Sequence, residues 1–156
     1  MKKLAVLLAG LSLWVATGCN NDDNTIVEYS LVGTWMPVKE VLTTVETGED
    51  PVTDVITYNS CQQESRWVFN EGSGGKRTDK VASGTVGQCD TSFERNFTYT
   101  YDKGEKKVNI KYQGIVEPDK GKVVTLNDTT FNLMIEDTTD PTEYHSKTYT
   151  FKRVTQ

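Results

Sequence analysis

The chain is poor in the residues on which most catalytic and metal chemistry depends. It has one histidine, His145, and three cysteines, Cys19, Cys61 and Cys89, none of them spaced C-x-x-C. A zinc site draws its ligands from such clusters, so no metal is expected here. No G-x-S-x-G elbow accompanies His145, and Gly72-Ser73-Gly74-Gly75-Lys76 is followed by Arg77 where a phosphate loop needs Ser or Thr. Neither nucleophilic catalysis nor nucleotide binding is therefore indicated, and no catalytic residue or cofactor is assigned. Basic residues are also few, 17 against 22 acidic ones. Lys103, Lys106 and Lys107 form the densest basic group, Glu105 interrupts it, and nucleic acid is excluded as a partner. Long hydrophobic runs are missing everywhere except at the start.

That start is informative. Lys2 and Lys3 precede an uncharged, mostly apolar stretch from Leu4 to Val15, then Ala16, Thr17, Gly18 and Cys19. The stretch is shorter than the roughly 20 apolar residues that span a bilayer as a helix. Residues 1–18 read as a secretory signal. The layout resembles bacterial lipoprotein signals, with Ala16 where leucine is preferred. The resemblance implies cleavage before Cys19, acylation of its thiol, and residence in the cell envelope as an outer-membrane lipoprotein. Several acyl chains, at about 0.8 kcal/mol per buried methylene, make such anchoring stable. Without Lys2 and Lys3 the chain keeps 15 basic residues and a formal charge of −7. Residues 19–30, with Asn20, Asn21, Asp22, Asp23 and Asn24, are too polar to pack and read as a tether.

From residue 31 to residue 156 there is material for one core. The pattern has period two: Trp67 and Phe69; Phe97, Tyr99 and Tyr101; Val108, Ile110 and Tyr112; Phe131, Leu133 and Ile135; Tyr149 and Phe151. Turn chemistry separates the runs at Gly72 to Gly75, Asp102 to Gly104, Pro118 to Gly121, Asn127 with Asp128, and Asp140 with Pro141. The fold class expected is all-β: an antiparallel up-and-down barrel of about eight strands, poor in helix. Pro37 predicts a bend or bulge in the first strand. Glu143 to Ser146 reads as the entry to an edge strand. Cys61 and Cys89, left as a pair in an oxidising compartment, read as a disulfide closing a loop of about 29 residues, worth roughly 3 to 4 kcal/mol.

Leu31-Val32-Gly33-Thr34-Trp35 resembles the Gly-x-Trp opening of lipocalins, and Lys152-Arg153-Val154 stands where that family places an arginine across the tryptophan. The likeness is to the lipocalin-like domains of bacterial lipoproteins, from Leu31 to Val154. It implies that Gly33, Trp35 and Arg153 close the barrel and that Glu46 to Ser60 folds over its mouth, although the residues of that segment equally allow a strand through Val55 to Tyr58. It departs from full lipocalins between Asp137 and Glu143, which is too short for their helix. The expected function is binding or carriage of a small apolar or amphipathic ligand, without catalysis, by a monomer. Trp67, Tyr99, Tyr101 and Tyr112 are the candidate lining residues, with Tyr99, Tyr101 and Tyr112 turned inward. The alternative is a filled barrel that serves as a surface module for protein or glycan.

Overall fold

The computed structural model describes residues 28–137, 139, 140 and 142–155, so the signal, Cys19 and most of the tether lie outside the described residues. Among the described residues nine strands follow in chain order: β1 Gly33–Glu46, β2 Val52–Thr57, β3 Arg66–Phe69, β4 Gly74–Ala82, β5 Cys89–Asp102, β6 Lys107–Tyr112, β7 Asp119–Leu126, β8 Thr130–Asp137 and β9 Glu143–Arg153. Every pairing is antiparallel. The last strand returns to the first, from Trp35 opposite Arg153 to Glu46 opposite Glu143, and closes an eight-stranded barrel of β1 and β3–β9. Closure pairs both edges of the barrel strands, which would otherwise template aggregation, and leaves β2 as the edge strand among the described residues. The only helical element among the described residues is a 3₁₀ turn, Gln62–Glu64.

The remaining strand, β2, shares one edge of β1 with β3: β3 pairs with Gly33–Trp35 and β2 with Lys39–Thr44. The division falls at Pro37, where the β1–β9 register shifts between Pro37 and Lys39. Proline has no N–H for the ladder, and the bulge bends β1. Residues 46–60 are therefore wall rather than cover. Val52–Thr57 is a strand, and the turn before it rests on the β8–β9 turn, where Thr47 Oγ1 donates to the Thr142 carbonyl at 2.8 Å. His145 likewise lies on an interior strand, because β9 has β8 on one side and β1 on the other.

Alternation places the aromatic residues inside. Trp35, Trp67, Phe69, Ile110, Phe131, Leu133 and Phe151 are fully buried. Toward the base, where the chain enters at Leu31, the rings interlock: Trp35 on Phe131 at 5.3 Å, Phe69 on Phe97 at 5.1 Å, and Phe131 stacked on Phe151 at 5.2 Å. Gly75 makes room for this, since a Cβ there would sit 2.3 Å from the Phe97 ring and 2.4 Å from the Val68 carbonyl. At the mouth, β5 outruns β6: its pairing with β6 begins at Phe97, while its pairing with β4 extends to Cys89. The projecting β4–β5 hairpin is braced by the Cys61–Cys89 disulfide and by the Lys80 amide donating to Ser65 Oγ at 2.9 Å.

Candidate functional site at the barrel mouth

Trp67 stands opposite Trp35 on one side and Arg77 on the other. Arg77 has the parity of Gly75, so its side chain enters the barrel, where its guanidinium carbon lies 4.1 Å from the centre of the Trp67 ring and 5.0 Å from that of Phe93. Such a cation over aromatic faces is worth about 2 kcal/mol when desolvated. Nε donates to the Asp79 carboxylate at 2.9 Å, Nη2 pairs with it at 2.7 Å, and Nη1 donates to the Tyr112 hydroxyl at 3.1 Å. Trp67 Nε1 also donates to Asp79, at 3.2 Å. Burial opposes the charge on Arg77, but the hydrogen bond with Asp79 and the neighbouring acidic groups hold its pKa above the ordinary arginine value. Burial raises the pKa of Tyr112 and Tyr149, against the pull of Arg77. Tyr58 is raised as well, by burial and then by Glu40, to which its hydroxyl donates at 2.6 Å.

Above this layer the interior opens. A cleft of about 700 Å³ lies between β7, β8 and β9, with Asp119, Ile135, Asp137, His145, Lys147 and Tyr149 in its wall. A smaller recess of about 200 Å³, between β1, β3 and β4, reaches Trp67, Arg77 and Asp79 and shares Lys147 and Tyr149 with the cleft. Tyr149 and Lys147 thus border both the cleft and the recess. Burial raises the Asp119 carboxyl, and Arg77 and the Tyr112 hydroxyl only partly offset this. His145 is held on both nitrogens, with Nδ1 3.2 Å from Thr44 Oγ1 and Nε2 2.8 Å from Glu143. Among the described residues no three His, Cys, Asp or Glu side chains converge as a metal site.

The family model for the lipocalin-like domain matches residues 31–133. The chain belongs to the lipocalin-like domain family. No curated protein matches it by sequence. Solved structures similar to this lipocalin-like barrel include lobster apocrustacyanin A1, at 14% identity over 80% of this chain and 61% of that one, with a TM-score of 0.47. Apocrustacyanin C2 gives 15% identity, 85% and 66% coverage, and a TM-score of 0.49. A deswapped triple mutant of bovine odorant binding protein gives 13%, 80%, 74% and 0.41. The chain spans less than two thirds of the length of either crustacyanin chain.

At the base of the lipocalin-like barrel, the Arg153 guanidinium carbon lies 4.1 Å from the centre of the Trp35 ring. Arg153 also donates to the carbonyls of Val32 at 2.9 Å, Ser30 at 3.0 Å and Asp128 at 2.8 Å. Gly33 permits this, because a Cβ there would be 2.3 Å from Arg153 Nη1, and its φ of +144° is disfavoured for other residues. The four candidate lining residues divide by height. Trp67 walls the smaller recess, and Tyr112 meets it through Arg77. Tyr99 turns inward but toward the base, where its hydroxyl donates to the Asn70 carbonyl at 3.1 Å, and Tyr101 lines a basal groove with Glu28 and Lys103. Neither reaches the mouth. Parity along a strand gives the face of the sheet and not the height along the barrel. Arg77, Asp79, Asp119, Lys147 and Tyr149 went unassigned in the sequence. Arg77 and Asp79 share the parity of Gly75, which was the available signal.

Proposed function

We propose that this lipocalin-like protein is an exported envelope lipoprotein, held at the outer membrane through Cys19, whose monomeric barrel binds or carries a small apolar or amphipathic molecule without catalysis. One observation carries the reading: the lower half of the barrel is packed with aromatic rings, while the upper end carries a cleft of about 700 Å³ between β7, β8 and β9, where Ile135 and Tyr149 offer apolar surface among charged and polar side chains. Native mass spectrometry of protein purified from the envelope tests it directly. A co-purified small molecule that leaves on denaturation is expected, and an empty barrel that takes up none of a panel of amphiphiles contradicts the binding role. The lipid anchor has its own test, since Cys19→Ala should move the protein from the membrane to the soluble fraction.

A second reading, a surface interaction module, draws on the outside of the barrel. Strand β2 pairs only with β1, and its Val52 and Val55 are 70% and 58% exposed. Site-specific crosslinking from Val55 in the envelope would capture a partner under that reading and only solvent under the first.

A further inference from the structure

The ionic character of the mouth bears on what enters it. Four acids, Glu117, Asp119, Glu136 and Asp137, line the cleft against two lysines, Lys120 and Lys147, and the histidine His145, whose nitrogens face Thr44 and Glu143. Both lysines have acidic neighbours: Lys120 stands opposite Glu136 in the β7–β8 register, and Lys147 Nζ lies 3.7 Å from Glu40. Arg77, in the smaller recess, is spent on Asp79. Asp119 is half-buried and has no salt-bridge partner among the described residues; its carboxylate is met only by the Tyr112 hydroxyl and the field of Arg77, which is already paired with Asp79. Beside the cleft lies a groove between the β1–β2 and β8–β9 turns, walled by Glu46, Glu49, Asp137, Asp140 and Glu143, with no lysine or arginine in its described lining. A concave site rimmed by one sign of charge focuses the field and concentrates the opposite ion.

We propose that the cleft selects an organic cation, an ammonium group on an apolar body, with the head beside Asp119 and the body against Ile135 and Tyr149. The inference rests on the ligand-binding reading above. A carboxylate or phosphate head would meet uncompensated acids at the rim and no free guanidinium or ammonium within. An ammonium head beside Asp119 meets the opposite situation.

The test is tryptophan fluorescence and calorimetric titration of the purified protein with three amphiphiles of one chain length: an alkyltrimethylammonium, an alkanoate and an alkanol, each below its micellar concentration. The ammonium is expected to bind about 10-fold or more tightly than the alkanoate at low ionic strength, with the gap narrowing as salt is added. Asp119→Asn should weaken the ammonium several-fold and leave the alkanol unchanged. Glu117→Gln, on the exposed rim, gives a second variant should Asp119→Asn fail to fold. Preference for the alkanoate, or equal binding of alkanol and ammonium, overturns the charge selection and leaves ligand binding standing. Failure of all three to bind overturns both.

Discussion

Two arginine–tryptophan stacks of the same 4.1 Å separation sit at the two ends of this barrel, and they do different work. At the base, Arg153 covers Trp35 and spends its donors on three backbone carbonyls, two in the entering segment and one in the β7–β8 turn. It stitches chain to chain, and the apolar interior above it closes without polar side chains. Toward the mouth, Arg77 covers Trp67 and spends its donors on side chains, the Asp79 carboxylate and the Tyr112 hydroxyl. That choice brings charge into the barrel and leaves the upper interior polar. The same pair of residue types thus seals one end and equips the other, according to what the guanidinium finds around its edge.

Packing should separate the two ends most strongly. Phe131→Ala at the base removes a fully buried ring held by Trp35, Phe69 and Phe151, and is expected to cost about 3 to 5 kcal/mol in urea unfolding. Tyr149→Ala should cost clearly less, about 1 to 3 kcal/mol, because part of its ring faces the cleft. Equal costs would mean that the mouth is packed as tightly as the base. Replacing Cys61 and Cys89 together by alanine should lower stability by about 3 to 4 kcal/mol in the chain-entropy picture. Hydrogen exchange should then quicken first in the β4–β5 hairpin and last in the basal strands.

The arginines themselves come next. Arg77→Ala leaves Asp79 without its partner in a site only partly open to water, and should cost about 2 to 3 kcal/mol. Arg153→Ala exposes carbonyls that water can reach, and about 1 to 2 kcal/mol is expected. Adding Asp79→Ala to Arg77→Ala should recover part of the loss, and a fully additive double variant would show that the two side chains are not coupled. The smallest effect is with pH. Burial raises Tyr112 above the ordinary tyrosine value of about 10, so its protonated form favours the folded state. Stability should decline as pH rises past about 10, where tyrosines of the unfolded chain ionise first, and Tyr112→Phe should flatten that decline in thermal melts.

Much of the base was legible and much of the mouth was not. Period two in Phe97–Tyr101, Val108–Tyr112 and Phe131–Ile135 reports a sheet with one buried face, and Gly33, Trp35 and Arg153 carry their geometry in their own chemistry. The mouth depends on relations that period two does not encode. Arg77 and Asp79 follow a glycine-rich turn in a charged stretch with no alternating apolar residues, and only the strand opposite, with Trp67, brings them inside. Tyr99 and Tyr101 share the inward face with Tyr112, yet strand pairing sets them one above another toward the other end. The 46–60 segment reads equally as a lid loop and as a partial strand through Val55 to Tyr58, because few of its residues are apolar; the β1 edge beyond Pro37 decides for the strand by offering it a ladder.

The place where the chain enters the barrel gives the molecule a direction. Leu31 is buried at the base, its carbonyl accepts from Trp35 Nε1 at 2.8 Å, and Arg153 grips the neighbouring Ser30 and Val32. Nine residue steps separate Glu28 from Cys19, a reach of about 30 Å at full extension. Strand β9 runs ten steps from mouth to base, about 33 Å of strand and, at a tilt of about 40°, roughly 25 Å along the axis. If Cys19 carries the lipid proposed above, laying the mouth on the membrane would require the leash to be drawn almost straight along the outside of the barrel. A slacker leash under that proposal keeps the base, and not the mouth, nearest the membrane. Cargo would then be exchanged with the far side of the compartment, or with something arriving from it, and not with the leaflet beneath.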